Sequence, residues 1–521
     1  MAKNMNAEPN EITRDGENKS LWQRNVKDET ISASPDNAKI YDALIVGAGI
    51  TGLTTALLLQ KSGLKCVVAD AHHAGYGTTG GTSAHINTFA DTTFKEVEDA
   101  FDEESARLFA ESIGKSVKLI HELVETYHID CDFDWKKGYV YAETDDEVKQ
   151  LDDILESSLN VGVEVKITTQ APARVAYQKA LVFENQAQFH PLKYILGLQK
   201  EFIRLGGIVL ENTLINDIER GEGINIAKSE NGEIKALSVV YATHIPPGGI
   251  NLLHFENAPY RSYVIAATLT DDAYPDDLVY DMKDPYHYFR THVIDGQKYL
   301  VAGGHDHKTG HGDPEKALSD LIEFTKSCYN VAEVTEQWSS QYFVPADGVP
   351  YIGKLPGDSK SVYAATGFNG NGMILGTVSA MVISDLILKK TSLYEKLYDP
   401  GRIKPVAGFT EFVKESADVT ARFIGDRFKT EKVDSLNQLP VGTGEIVTYE
   451  GQKLAVYKDE SGKVHALDPV CKHAGCIVKW NNSEKSWDCP CHGARYNAEG
   501  QVLTGPARVD LDKVSLTAEA E

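Results

Sequence analysis

Two short loops in which cysteine and histidine alternate constrain this chain more than any other feature. The first reads Cys471-Lys472-His473-Ala474-Gly475-Cys476, and the second Cys489-Pro490-Cys491-His492-Gly493. Each offers a thiolate and an imidazole at short spacing, C-x-H in one and C-x-x-H in the other. Paired loops of this form can hold a binuclear iron–sulfur cluster, with two cysteines on one iron and two histidines on the other. The same residue types also suit zinc, and a C-x-x-C pair can be a redox dithiol. Zinc fingers space their cysteines together and their histidines together. Here the two types alternate and each loop carries a second cysteine, which favours the cluster.

The loops resemble those of Rieske proteins, most closely the cytochrome-complex branch. That resemblance implies Cys471 and Cys489 on one iron, His473 and His492 on the other, and a Cys476–Cys491 disulfide tying the loops together. Gly505-Pro506-Ala507 resembles the Gly-Pro loop that covers the cluster in that family. One position departs from the pattern. Gly493-Ala494-Arg495-Tyr496 stands where the branch has Gly-Ser-x-Tyr. Hydrogen bonds to the cluster sulfurs tune its potential, so losing the serine hydroxyl implies a lower potential.

A second constraint lies near the N-terminus. Ala43-Leu44-Ile45-Val46 has the pattern of a buried strand. Gly47-Ala48-Gly49-Ile50-Thr51-Gly52 opens an apolar helix to about Ser62, and Cys66-Val67-Val68-Ala69 is a further strand ending in Asp70. G-x-G-x-x-G in this strand–turn–helix–strand setting is a dinucleotide fingerprint. The glycines let a pyrophosphate approach the helix N-terminus, and Asp70 is placed to accept a ribose hydroxyl.

Three further stretches identify the dinucleotide. Gly77-Thr78-Thr79-Gly80-Gly81-Thr82-Ser83-Ala84 resembles the loop after the second strand in the D-amino-acid-oxidase (DAO) family of FAD enzymes. Asp347-Gly348-Val349-Pro350-Tyr351-Ile352-Gly353, and then Gly367-Phe368-Asn369-Gly370-Asn371-Gly372-Met373, resemble that family's closing motifs. The resemblance covers roughly residues 40–400. It implies FAD held by Gly47, Gly49, Gly52, Asp70, Thr78, Thr79, Thr82, Gly367, Asn369, Gly372 and Met373. No second G-x-G-x-x-G follows a strand, so electrons are expected from an organic substrate rather than from a nicotinamide.

Between these motifs, 94–127, 146–159 and 192–205 read as helical, and 138–142 and 239–243 as strands. Residues 260–342 are rich in strands and turns and read as a substrate-side sheet. Its candidate substrate groups are Tyr286, Tyr288, Arg290, His305 and His307. In flavin amine oxidases Arg and Tyr facing the flavin clamp a carboxylate, and Arg290, Tyr288 and His305 are the catalytic candidates on that resemblance. His305 and His307 share a strand face, but no third metal ligand is evident.

Composition limits the partners. Lys and Arg number 52 against 76 Asp and Glu, a net charge of −24. Such a surface argues against nucleic acid or an anionic membrane. Seven cysteines in 521 residues do not make a secreted disulfide scaffold. Cys66, Cys131 and Cys328 are expected to be reduced. No signal peptide or membrane span is visible, and a cytoplasmic protein is expected. The apolar runs 43–59 and 373–388 belong to the folds above.

The expected organisation is a loose polar leader over 1–38, with Leu21-Trp22 as its anchor, and a DAO-type FAD module over 39–400. A linker helix over 401–432 follows, striped by Phe409, Phe412, Val413, Val419 and Phe423, and then a Rieske [2Fe-2S] domain over 433–521. The fold class is an α/β Rossmann-like FAD domain with an inserted α+β substrate domain and a C-terminal all-β domain. The function expected from the two resemblances is an FAD-dependent dehydrogenase. It would oxidise an amine or amino-acid-like substrate and pass electrons singly through the cluster to an external acceptor. The alternative is a non-catalytic redox-sensing or electron-relay protein. A Rieske oxygenase would need a two-His, one-carboxylate iron site, and no Asp/Glu-x-x-His-x3–4-His spacing is present.

Overall fold

The computed structural model describes residues 12–24, 26, 33, 35–221, 223–357, 361–402, 431–432 and 436–516. The expected linker stripe from Phe409 to Phe423 lies outside the described residues.

Short, continuously apolar strands build the first sheet. Ile40–Val46 lies at its centre, parallel to Cys66–Ala69 on one side and to Gly232–Tyr241 on the other. Ile208–Leu210 and Val362–Thr366 extend it in parallel, and Tyr351–Lys354 closes one edge antiparallel. Parallel strands are covered on both faces by their crossovers. The helices Ile50–Lys61 and Gly372–Ile387 pack on each other over this sheet. Both are buried on nearly every side, which is why their sequences are apolar all round. They account for the runs 43–59 and 373–388. Among the described residues no helix is long and apolar enough to cross a membrane.

The second sheet has nine strands. Val331–Pro345, Asn257–Leu269, Gln297–Lys308, His287–Ile294 and Leu278–Asp281 fall in the stretch read as the substrate-side sheet. Asp134–Ala142, Val165–Thr168, Lys179–Gln188 and His85–Ile86 complete it from well outside that stretch. The junction is a parallel pairing of Leu278–Asp281 with Asp134–Ala142. Such distant pairing leaves no mark in local sequence. Helical segments fall close to their expected places, except that 94–127 divides into Phe94–Ala100 and Glu103–Tyr127.

The C-terminal module contains two four-stranded sheets. One runs Glu431–Lys432, Thr443–Tyr449, Gln452–Lys458, Val464–Leu467; the other runs Lys479–Asn481, Ser486–Asp488, Arg495–Asn497, Val502–Thr504.

The polar segment read as a loose leader is, over 12–24, part of the interior. Leu21 and Trp22 are fully buried. Trp22 Nε1–H donates to Thr82 O at 2.6 Å and Ser20 Oγ–H to Gly80 O at 2.8 Å, so the segment braces the Thr78–Thr82 loop from behind. Its buried charged residues, Arg14 and Asp15, are held in ion pairs. Arg14 meets Glu484 at 2.6 Å and Asp15 at 3.0 Å. Arg495 meets Asp488 at 3.1 Å and Asp15 at 3.4 Å, and Arg261 meets Asp488 at 3.3 Å. Three arginines and three carboxylates thus join the N-terminal segment, the second sheet and the C-terminal module. Burial alone would raise the Glu484 carboxyl, but Arg14, Arg261 and Arg495 outweigh it and hold it below the usual carboxylate range.

Candidate functional site

The turn after Ile40–Val46 is built by glycine. Gly47 sits at φ +105°, where a Cβ would lie 2.5 Å from Ala242 O, and a Cβ on Gly52 would lie 1.9 Å from Gly47 O. Only glycine lets strand, turn and helix close to this distance. The turn opens into a cavity of about 810 Å³. Of the expected cofactor residues, Gly47, Gly49, Asp70, Thr78, Thr79, Thr82, Asn369, Gly372 and Met373 line it. Gly52 and Gly367 act from behind: Gly52 sets the helix spacing, and Gly367, at φ +78°, passes close to Asn257. The Asp70 carboxylate also braces the turn, accepting from Ala48 N–H at 2.7 Å and His72 N–H at 2.8 Å. A cavity of this size, ending on a bare helix N-terminus and a glycine turn, fits a dinucleotide.

Thr78–Gly81 forms a short helical turn, and Gly80-Gly81 follows the paired threonines. His85 lies further along and lines the cavity. Its Nδ1–H donates to the Tyr280 hydroxyl at 2.7 Å, which in turn donates to Asn87 Oδ1 at 2.8 Å. FAD is therefore expected to be non-covalent. Acid precipitation should leave the yellow colour in the supernatant; a yellow pellet would contradict this.

The second sheet supplies the facing wall. Tyr286, Tyr288, Ser262, Asp306 and Tyr342 line the cavity, and Asp91 enters from the other side. Gly303 permits this packing, because the Tyr288 ring lies where a Cβ would stand, 2.1 Å away. Two catalytic candidates are elsewhere. Arg290 is outside the cavity, with its guanidinium 4.8 Å from the Trp22 ring centroid and Nη2 3.4 Å from Phe189 O. Burial pulls its pKa down to about 9. His305 also lies off the cavity, its ring 4.8 Å from that of His287. His307 bonds the Tyr263 hydroxyl at 2.9 Å.

At the other centre, Cys476 and Cys491 form a disulfide, which leaves Cys471 and Cys489 as buried free thiols that share a hydrogen bond. The rings of His473 and His492 stand perpendicular with centroids 4.9 Å apart. All four of their ring nitrogens are buried without a hydrogen-bond partner. Burial lowers these imidazoles to about 4 and about 3, so both are neutral, the ligating form. Two thiols and two orphaned imidazoles fit a [2Fe-2S] cluster. Three sulfurs, of Cys476, Cys489 and Cys491, lie within 4.8 Å of one another, but the disulfide removes two of them as ligands.

The Tyr496 hydroxyl is 3.3 Å from Cys471 Sγ and accepts from Lys472 N–H at 3.1 Å. Ala494 is fully buried in the same cluster of side chains. A donor to a cluster sulfur stabilises the reduced form, which carries more negative charge. One hydrogen bond worth ~1.5 kcal/mol corresponds to roughly 60 mV for a one-electron couple. Ala494→Ser is expected to raise the potential by that order and Tyr496→Phe to lower it, read by EPR-monitored redox titration. An unchanged or lowered value in Ala494→Ser would show that the hydroxyl does not reach the sulfur.

The two centres share walls. His254, on Leu252–Phe255, packs on His473 at 4.6 Å and on His492 at 5.7 Å. Its Nε2 bonds Pro246 O at 3.0 Å, and the neighbours Ile245 and Pro247 line the cavity. From the C-terminal module, Val502–Thr504, Gly505, Ala507 and Arg508 line the same cavity. Arg508 Nη2–H donates to Pro247 O at 2.8 Å. Sequence patterning missed His254, which lies in no local motif, and Arg508, which directly follows the Gly505-Pro506-Ala507 loop.

Fold and sites together define a two-cofactor redox protein, with a dinucleotide cavity and a Cys2His2 cluster site on one chain. The chain belongs to the FAD dependent oxidoreductase family, whose model matches residues 42–386, and a Rieske [2Fe-2S] domain matches residues 429–515. It is 32% identical over 483 residues to YhfW of Bacillus subtilis (strain 168), named as a Rieske 2Fe-2S iron-sulfur protein, covering 91% of this chain and 93% of that one. It is 22% identical over 363 residues to the gamma-glutamylputrescine oxidoreductase of Escherichia coli (strain K12), covering 66% of this chain and 83% of the relative. In fold it is similar to glycine oxidase from Geobacillus kaustophilus, with a TM-score of 0.59 at 18% identity over 70% of this chain and 99% of that structure. The protein is an FAD- and [2Fe-2S]-containing oxidoreductase.

Proposed function

We propose that this oxidoreductase is a dehydrogenase. It oxidises a small amine or amino-acid-like substrate and delivers the electrons singly through its cluster to an external acceptor, in the cytoplasm. FAD when bound supplies a hydride acceptor, and the cluster a one-electron carrier. The chain's own residues divide the remaining work. Gly47, Gly49, Asp70, Thr78, Thr79, Asn369 and Gly372 are proposed to hold the dinucleotide, and Cys471, His473, Cys489 and His492 the irons. Tyr286, Tyr288, Tyr342 and Asp306 would orient the substrate from the second sheet. The relatives named for gamma-glutamylputrescine and glycine support a substrate with an oxidisable C–N bond.

The observation that carries the transfer step is the contact of His254 with both cluster-site histidines. These rings face the FAD module, with His254 bonded to the wall of the dinucleotide cavity. The test is to add amines and amino acids anaerobically to the loaded protein, without chemical reductant, while recording flavin absorbance and EPR. A substrate should bleach the flavin and bring up the reduced-cluster signal in the same sample. Bleaching with a silent cluster would sink the transfer step. A flavin that no amine bleaches would favour a relay or sensor.

A further inference from the structure

The cavity's charges differ from those a carboxylate-bearing substrate requires. Planar, bidentate recognition of a carboxylate calls for an arginine or a similar cation. Among the described residues the cavity lining has one arginine and one lysine. Arg508 is engaged by the carbonyls of Asn216 and Pro247. Lys283 pairs with Glu143 at 2.9 Å. Arg290, the expected clamp, points at Trp22. The lining histidines His72, His85 and His244 are at least half-buried, and burial pulls their pKa values down.

The wall opposite the dinucleotide motifs offers the reverse charge. Asp306 accepts from the Tyr342 hydroxyl at 2.8 Å. Its other oxygen, Oδ1, is buried without a well-aligned hydrogen bond, with the Ser262 hydroxyl as a neighbouring donor that only partly offsets burial. Ser262, Tyr286 and Tyr288 line the cavity with it, and Asp91, which accepts from Gly370 N–H at 2.8 Å on the dinucleotide side, adds a second carboxylate to the lining. Burial pushes the Asp306 carboxyl up to about 7, as expected of an acid with no cation beside it. A buried carboxylate with no counter-ion is costly until a cation arrives.

We infer that the substrate is a cationic amine that carries no carboxylate next to its nitrogen, its ammonium received by Asp306 within the Tyr286, Tyr288 and Tyr342 wall. The inference rests on the oxidoreductase reading above and narrows its substrate class. Aromatic faces around an ammonium add to the attraction. A carboxylate on the adjoining carbon would be placed against Asp306, on a wall of Ser262, Tyr286, Tyr288 and Tyr342 that carries no cation.

The test is a matched pair. n-Butylamine and norvaline share a skeleton and differ by one carboxylate. Each is titrated anaerobically, at a pH above neutrality, into the full chain loaded with FAD and cluster, and perturbation of the flavin absorbance is read separately from bleaching. Butylamine should half-saturate the perturbation at a concentration ~10-fold or more below norvaline. Asp306→Asn keeps the side-chain shape and an acceptor for Tyr342. It should raise the butylamine midpoint ~10-fold or more at unchanged FAD content. Equal or tighter binding of norvaline overturns the inference, as does an Asp306→Asn protein that binds butylamine normally. Perturbation by butylamine without bleaching supports the ammonium site while contradicting amine oxidation. Bleaching by norvaline where butylamine does neither overturns the site and leaves the oxidoreductase reading standing. If Asp306→Asn fails to retain FAD, the matched pair in the unaltered protein decides alone.

Discussion

Cys489→Ser is expected to abolish the cluster while FAD stays bound. A serine hydroxyl does not ionise at neutral pH, whereas the iron ligand is a thiolate. Cys489 and Cys471 are the thiols left in the two loops once Cys476 and Cys491 have paired, so with the bridge intact neither loop holds a spare thiol to replace Cys489. FAD should remain because Cys489 does not line the cavity, and the buried ion pairs still hold the C-terminal module against the rest of the chain. Cys491→Ser should behave differently. It opens the bridge between the loops but leaves all four proposed ligands, so the cluster assembles and is then lost faster. Iron content, EPR and flavin absorbance on the two purified variants separate these outcomes. Equal iron loss from the outset in both would show that the division into ligands and bridge is wrong, and joint loss of FAD and iron would show one folding unit.

The second large effect is expected at Glu484. This fully buried carboxylate accepts from Arg14 at 2.6 Å and from Ser339 N–H and Oγ–H, both at 2.7 Å. Glu484→Ala leaves Arg14 buried without that partner, a change that costs ~3–5 kcal/mol. The exposed Glu499→Ala should stay within ~0.5 kcal/mol. Flavin fluorescence during heating measures both, and similar midpoints for the two variants would mean the network carries no stability. Because the pairs are buried, added salt should change little. The pH dependence has a fixed sign. The Glu484 and Asp488 carboxyls are held below their ordinary range despite burial. Their contribution is therefore complete above the unfolded carboxyl values near ~4 and is lost as pH falls through the lower folded ones. Flavin release on acid titration should begin below ~4 and move upward in Glu484→Ala.

Features that depend on neighbours in sequence were legible without a structure. The glycine turn, its flanking strands and helix, and the Cys–His loops are local devices, and each falls where the motif places it. The cavity wall on the second sheet was legible only in part: Tyr286 and Tyr288 line it, but Asp306 was missed, for a reason seen at 303–307. Strand residues alternate between faces, so choosing His305 rather than Asp306 selects the wrong side. The alternation is also broken there, with Gly304 at φ +141° and His305 at φ +54°. Arg290 shares the parity of Tyr288 but lies beyond the cavity, where the Trp22 ring fills the space. The pairs Arg14–Glu484, Arg261–Asp488 and Arg495–Asp15 each join segments hundreds of residues apart, and charge composition says nothing of which acid meets which base.

The Arg14–Glu484 pair spans 470 positions, and this sets an order of events during synthesis. Arg14 leaves the ribosome long before its partner, so the segment that braces Gly80 and Thr82 cannot reach its final place until most of the chain has followed. Contacts this distant make folding slow, because loop closure precedes the reward. A nascent chain can build its parallel sheet early, yet its dinucleotide loop gains full backing only when the last sheet forms. Maturation of one cofactor pocket is thereby timed by completion of the module that carries the other.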